Sequence, residues 1–504
     1  MRLRKVFPSP RWGVHPPDRK RPAADLPLRV LPLPERLFVP LQQHIGTPAR
    51  PIVRAGQRVL KGQLLAEPQG TLSAAIHAPS SGQVLTIGEV TAPHPSALPI
   101  PAIVIACDGE ERWIESDAPS DPFDLTPEEI NRRIAAAGIV GLGGATFPAA
   151  LKLGLGYRAG IHTLLINGSE CEPYLSCDDR LMRDKPEAIL DGVRLMLQAT
   201  GARQALIGIE SNKPEAIAAM EQAAQPYPEL RVRILPARYP MGSERHLFAK
   251  LTGTELPADC RTTDLGVLVH NVATAYAVHQ ALRLGHPLVE RILTLNGGAI
   301  ANPGNVRVPI GTLVETLLEM DELNETPARL IMGGPMMGQS LPHARVPVVK
   351  GTSGLLALTA AETAFGTPRP CIRCASCARA CPMNLLPMEM AARIGADDLD
   401  GAVELGLKDC LACGCCAYVC PAHLPLVQSF NHAKGALAAR ERARLRTESA
   451  RRLAAARAER LEREARERAE AAARRKTERA LRATKDPTPT ITDPSAPERQ
   501  AEVV

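Results

Sequence analysis

The feature that most constrains this chain is a cysteine run that occurs twice. Cys371 to Pro382 reads CIRCASCARACP, and Cys410 to Pro421 repeats the pattern as CLACGCCAYVCP. Each is Cys-x-x-Cys-x-x-Cys-x-x-x-Cys-Pro, a spacing used to hold two iron–sulfur clusters, in which the fourth cysteine of each run serves the neighbouring cluster. Three thiolates two residues apart wrap one face of an iron–sulfur cube. The fourth, displaced by a turn and stopped by proline, points at the other cube. The spacing therefore assigns Cys371, Cys374, Cys377 and Cys420 to one 4Fe-4S cluster, and Cys381, Cys410, Cys413 and Cys416 to the second. Cys415 breaks the interval and is read as a non-ligating neighbour of Cys416. Structural zinc is the alternative for any set of four thiolates, but zinc sites seldom need a third cysteine at this interval or a repeated Cys-Pro.

Composition supports metal ligation. The chain has 13 cysteines, and the N-terminus MRLRKVFPSPRWG, with no apolar core or small-residue cleavage site, is read as carrying no export signal. Cysteines in a reducing compartment favour metals over disulfides, and the expectation is a cytoplasmic chain. No apolar run of about 18 residues is present, so no membrane span is expected. The net charge of +6 is local in origin: residues 434–485 hold 18 Lys+Arg against 8 Asp+Glu, which leaves the remainder at −4. The basic balance belongs to one tail, and no nucleic-acid partner is expected.

Upstream of the cysteines the pattern alternates helix and strand. Thr126-Pro127-Glu128-Glu129 opens a capped helix that runs to Gly138. His162 to Asn167 (HTLLIN), Gln204 to Glu210 and Leu230 to Pro236 read as strands, with helices over Lys185 to Thr200 and Pro214 to Ala224. Such alternation predicts a mainly parallel α/β sheet. GLGGATFPAALK, Gly141 to Lys152, fails as a dinucleotide fingerprint because Thr146 holds the third glycine position and a helix precedes it. Its glycines, helix start and Lys152 still form a candidate phosphate cradle. An ordinary tight turn is the alternative. HTLLIN runs into Gly168-Ser169-Glu170-Cys171-Glu172-Pro173, so Asn167, Ser169 and Glu170 lie at a strand's C-terminal end, where open α/β sheets bind ligands. These groups could hydrogen-bond a ribityl chain or a flavin edge; the plain alternative is a solvated loop.

GLGGATFPAALK, NGSECEPYL, YPMGSE at Tyr239 to Glu244 and VHNVAT at Val269 to Thr274 resemble, in order and approximate spacing, the flavin- and NADH-binding segments of the complex I flavoprotein subunit family. The resemblance implies that Gly141, Gly143, Gly144, Lys152, Asn167, Glu170 and Asn271 bind non-covalent FMN, with Phe147, Glu172 and Glu244 nearer NADH. Leu142 and Ser169 stand where that family usually has Arg and Asp, and His270 replaces an Asn. NADH delivers two electrons as hydride and each cluster takes one, so a flavin is the converter the chemistry requires.

That family carries one cluster. A closer resemblance is to the C subunit of the Rnf/Rsx ion-translocating electron transport complex, carried by GVHPPDRK, by VPLQQHIGTPARPIVRAGQRVLKGQLLAEPQGTLSAAIHAPSSGQV, by the flavin segments and by CPAHLPLVQSFNHAKGAL. It implies a translocase-type oxidoreductase subunit, peripheral on the cytoplasmic side of a bacterial inner membrane. Such a subunit would pass electrons between NADH and a ferredoxin- or flavodoxin-like carrier, beside integral and peripheral partner subunits. Two rivals stand against it. A diaphorase-type subunit of an NAD-linked hydrogenase or formate dehydrogenase would have a single cluster block. A non-enzymatic two-cluster electron adaptor would lack FMN.

The expected fold class is multidomain α/β. Residues 1–118 form a barrel-sandwich resembling biotinyl/lipoyl domains, read as a scaffold because EPQGTLS offers no lysine for modification. Residues 119–285 form a Rossmann-like FMN/NADH domain, 286–345 a ligand-binding β-grasp module and 346–432 a two-cluster ferredoxin-type domain. GGPMMG, Gly333 to Gly338, reads as a glycine-rich turn with methionine filler. Residues 433–485 read as a charged Ala/Arg/Glu helix without an apolar heptad seam, either solvated or drawn to anionic lipid or an acidic subunit. Residues 486–504 are expected to be disordered.

Overall fold

A computed structural model describes residues 12–257, 259–364 and 366–485. The expected disordered tail lies outside them. The chain divides into two compact units between Asn431 and His432.

The first unit opens with a small β sandwich. Arg36–Pro40, Pro99–Cys107, Gly82–Thr91 and Arg58–Val59 form an antiparallel sheet in that order, beside a three-stranded sheet of Arg50–Pro51, Leu64–Glu67 and Ile76–His77. Leu37, Val39, Leu65, Ile76, Val84, Ile103 and Ile105 meet between the sheets, as alternating strand residues must when one face is buried. Gly82 in SSGQV has φ +154°, and a Cβ there would collide with the carbonyl of Ala106, so the close strand pairing demands glycine.

The α/β part has four parallel strands in the order Leu230–Leu235, Gln204–Glu210, Thr163–Gly168, Val267–Asn271. Leu164, Ile166, Ile207, Ile209 and Leu268 are buried in one core with Ile189, Val193 and Met196 of the helix Pro186–Thr200. This two-faced burial is why the strands read as continuous apolar runs. A helix the pattern did not suggest, Cys177–Asp184, precedes the break at Lys185. Its short amphipathic turn follows a proline and reads as loop.

The third sheet is six-stranded and mixed: Arg29–Val30, Gly304–Pro309, Glu290–Asn296, Gly354–Leu358, Arg329–Met332, Gln339–Ser340. Two of its strands come from outside residues 286–345. Arg29–Val30 leaves the N-terminal segment to pair with Gly304–Pro309, and Gly354–Leu358, buried at all five positions, is an interior strand. An apolar run between loops looks like a linker until its two strand partners are known.

The cysteine-rich part is helical, with Ser376–Ala380, Pro387–Gly395, Leu399–Glu404 and Cys415–Tyr418. The repeat is conformational as well as sequential. Arg373 and Ala375 in the first block, and Ala412 and Gly414 in the second, have positive φ at matching positions, as do Asn384 and His423 beyond them. In the second unit the helix Leu426–Lys485 continues from His432 as a largely exposed rod with ion pairs such as Arg452–Glu448 and Arg444–Glu441 along its surface. Among the described residues no helix is long and apolar enough to cross a membrane.

Candidate functional site

Parallel pairing sets Asn167 opposite Asn271 at the C-terminal ends of the two neighbouring strands. Asn167 donates to the carbonyl of Gly242 at 2.8 Å and accepts from the Ser169 amide at 3.0 Å. Asn271 caps the helix Val272–Leu284 by accepting from Ala273 N at 2.8 Å, and donates to Asp178 Oδ2 at 2.7 Å. Over these strand ends lies the Gly141 turn, closed by Gly141 N to Phe147 O at 2.8 Å and Thr146 N to Gly141 O at 3.1 Å. A Cβ on Gly143 would sit 3.2 Å from Asn271 Cβ, whereas Gly144 faces open space. The glycines thus bring bare backbone to the crevice, with Phe147 half-buried behind them.

Lys152 donates to Val269 O at 2.7 Å and lies 3.6 Å from Glu244 Oε2; Glu244 also accepts from Thr262 Oγ1 at 2.9 Å. Lys152 and Glu244 form the crevice's charged rim. Ser169 is fully buried, and its hydroxyl has no partner among the described residues. An orphaned hydroxyl two residues from Asn167, with the bare backbone of Gly143 over Asn271, suits a ligand rich in hydroxyl and phosphate oxygens, as FMN is.

The other two acidic residues of this loop are committed elsewhere. Glu170 accepts from the amides of Asp178 at 2.7 Å and Asp179 at 3.3 Å, anchoring the start of the helix Cys177–Asp184, with Lys20 Nζ at 4.0 Å. Its carboxylate braces the first turn of that helix against the loop. Glu172 accepts from Met336 N at 3.0 Å and Met337 N at 2.9 Å. It therefore holds the GGPMMG turn in place, and burial pushes its carboxyl up to about 7.

Sequence reasoning missed the groups that fix this loop. Lys20, 7% exposed, donates to the carbonyls of Glu170 (2.8 Å), Glu172 (2.9 Å) and Leu175. Lys213 reaches Ser169 O at 2.6 Å and pairs with buried Glu210 at 3.3 Å. Lys20 ends the GVHPPDRK segment, which runs on as a strap: Gly13 N donates to Ala380 O, and Val14 exchanges two backbone hydrogen bonds with Tyr239. No local spacing announces a lysine that acts 150 residues away.

The eight repeated cysteines separate into two cavities. Cys371, Cys374, Cys377 and Cys420 line one of about 370 Å³, and Cys381, Cys410, Cys413 and Cys416 line another of about 370 Å³. Apolar side chains complete both: Met388, Leu424 and Leu426 in the first, Met383, Leu385, Met390, Val427 and Phe430 in the second. Four thiols among mostly apolar side chains, with no competing carboxylate or imidazole in the lining, suit an iron–sulfur cube. Cys415 lines neither cavity; it is fully buried beside Val14 and Tyr239.

Tyr239 joins the second cavity to the crevice. Its hydroxyl donates to Cys413 O at 2.7 Å and lies 3.5 Å from Glu172 Oε1. Cys171 and Met336 pack around the same point, and His246 bonds to Pro382 O at 3.0 Å. In the first cavity Cys371 and Cys374 are exposed.

Three family models match: a Nuo51 FMN-binding domain over residues 134–280, an RnfC barrel sandwich hybrid domain over 9–110 and a 4Fe-4S dicluster domain over 370–424. Fold and site together define a mixed α/β multidomain protein of the flavin-binding and iron–sulfur class. The chain is 53% identical over 436 residues to the C subunit of the ion-translocating oxidoreductase complex of Rhodobacter capsulatus, covering 86% of this chain and 84% of that one. The C subunit of the same complex in Pseudomonas aeruginosa is 48% identical over 88% of this chain, which spans 57% of that protein's length. The chain belongs to the family formed by the C subunits of ion-translocating oxidoreductase complexes. A solved NAD+-reducing [NiFe]-hydrogenase, in its H2-reduced state, matches 65% of this chain and 64% of its own at 19% identity and a TM-score of 0.45.

Proposed function

We propose that the chain is the peripheral electron-input subunit of an Rnf-type membrane complex, passing electrons between NADH and a ferredoxin- or flavodoxin-like carrier while the complex moves ions. The proposal places it on the cytoplasmic side of the membrane, beside integral and peripheral partner subunits. The observation that carries it is the partition of the eight cysteines into two cavities, one tied by Tyr239 to the crevice at the strand ends.

In this reading Asn167, Ser169, Asn271 and the backbone of Gly141, Gly143 and Gly144 hold FMN, and Lys152 stands at the rim as its nearest cation. Bound FMN would supply the exchange between a hydride pair and single electrons, and two 4Fe-4S clusters the one-electron carriers. Cys381, Cys410, Cys413 and Cys416 would hold the cluster nearer the crevice, and Cys371, Cys374, Cys377 and Cys420 the exposed one. Phe147 and Glu244 face the side from which NADH would enter. Glu170 and Glu172 act on the flavin region through the backbone they brace. Lys20 and Lys213 occupy loop carbonyls that would otherwise compete for solvent, which keeps the loop's amides and side chains aimed at the crevice.

The test is anaerobic purification with iron, sulfide and released-flavin assays on one sample, followed by NADH addition watched by absorbance. About eight irons and one FMN per chain, with rapid bleaching, is the expected result. Eight irons with neither flavin nor bleaching after FMN is supplied would leave a two-cluster adaptor instead.

A further inference from the structure

A third cavity lies between the helices Cys177–Asp184 and Val272–Leu284 and the strand Glu290–Asn296. Leu142, Leu181, Ala273, Ala277 and Leu288 give it apolar walls. Trp113 and His286, also among its lining residues, stack at 3.9 Å with an interplanar angle of 11°.

Arg291 is the group these walls do not explain. It is 4% exposed, lines the cavity, and donates through Nε to Thr352 O at 3.1 Å. Its two terminal nitrogens have no hydrogen-bond partner among the described residues, and Glu290, the neighbouring carboxylate of the lining, pairs with Arg307 at 3.7 Å. A guanidinium stays charged in proteins, so a buried one without an opposing anion is costly. Asp178 also lines the cavity, but its Oδ2 is held by Asn271, and burial together with Glu170 pushes its carboxyl up to about 7. It is a weak counter-ion at neutral pH.

Apolar walls with a few polar groups are the form a small-ligand site takes, and a fixed cation with two unused donors at the wall selects an anionic head. We propose that it binds a small organic monoanion with a flat apolar body, an aromatic carboxylate in the simplest case. The carboxylate takes the bidentate position on Arg291, and the ring lies along Ala273 and Ala277 toward the Trp113–His286 stack. The occupant is then close to Asp178, whose other partner is Asn271 of the crevice, so binding here is felt at the strand ends. The site does not depend on the cofactor assignment, because none of its defining groups is a proposed cluster or flavin ligand.

The test is isothermal titration of the full, anaerobically purified chain with 1-naphthoate in the presence of saturating FMN, which keeps the probe out of the crevice. One site per chain is expected. Arg291→Gln should weaken it on the order of tenfold or more, and Ala277→Phe, which fills the cavity from the helix, should abolish it, both with the parent's iron content and melting temperature. If Arg291→Gln does not fold, Ala277→Phe decides. Absence of binding to the parent, or unchanged affinity in either folded variant, overturns the proposal.

Discussion

The two cysteine cavities share a sequence pattern and a loop conformation, yet they sit in different surroundings. In one, Cys381, Cys413 and Cys416 are buried and Tyr239 ties Cys413 to the crevice; in the other, Cys371 and Cys374 lie at the surface. The repeated motif dictates four converging thiols in each case. What differs is everything the motif does not encode: the strap Gly13–Val14, the Tyr239 hydroxyl and the GGPMMG turn all pack around Ala380, Cys413 and Cys415, and a Cβ on Gly414 would lie 3.1 Å from Met336 O. Duplication supplies two equivalent holders, and tertiary packing makes one an inner and the other an outer station.

The largest expected effect comes from breaking the pair itself. Cys413→Ser should remove about four of eight irons and abolish NADH-driven reduction of the cluster that remains. Cys371→Ser should cost the same iron but leave the inner cluster reducible. Iron assay with electron paramagnetic resonance after NADH addition reads both, and equal behaviour of the two variants would erase the inner–outer distinction.

Removing the strap's anchor should be the next most severe change. Lys20→Met leaves three loop carbonyls without their donor, a loss of about 3 kcal/mol, visible as a lower melting temperature and weaker FMN retention with both clusters still loaded. Tyr239→Phe deletes one buried hydrogen bond, worth about 1 kcal/mol. Because a donor aimed at a ligand's carbonyl favours the more negative, reduced cluster, the inner midpoint potential should fall while the outer one stays. A redox titration showing both unchanged would remove Tyr239 from the comparison.

The pH dependence should fall on the crevice side. Asp178 is pushed up to about 7 by burial and by Glu170. The folded chain then keeps a proton that the unfolded chain has released above its ordinary carboxylate value. That contribution to stability is present at low pH and is lost as pH rises toward about 7. Asp178→Asn should flatten the decline of the urea midpoint between about pH 5 and 7, by up to about one proton's worth of slope. The smallest effect is expected on the exposed helix of the second unit: Arg452→Ala removes an exposed ion pair with Glu448 and should change stability by under about 0.5 kcal/mol.

Local patterns were enough to read much of this protein. The cysteine spacing separates the eight thiols into the same two sets that line the two cavities, because ligand geometry is set by a few consecutive residues. Apolar runs and caps locate the strands Thr163–Gly168 and Gln204–Glu210 and the helix Pro127–Ala136 for the same reason. Tertiary structure alone decided what distant partners impose. It drew Gly354–Leu358 into the interior of a sheet, gave Glu170 and Glu172 the backbone amides they accept from, and put Lys20 beneath a loop far along the chain. A carboxylate or a lysine in sequence carries no record of which amide or carbonyl it will meet, since that choice is made by burial and by the cost of leaving any polar group there unpaired.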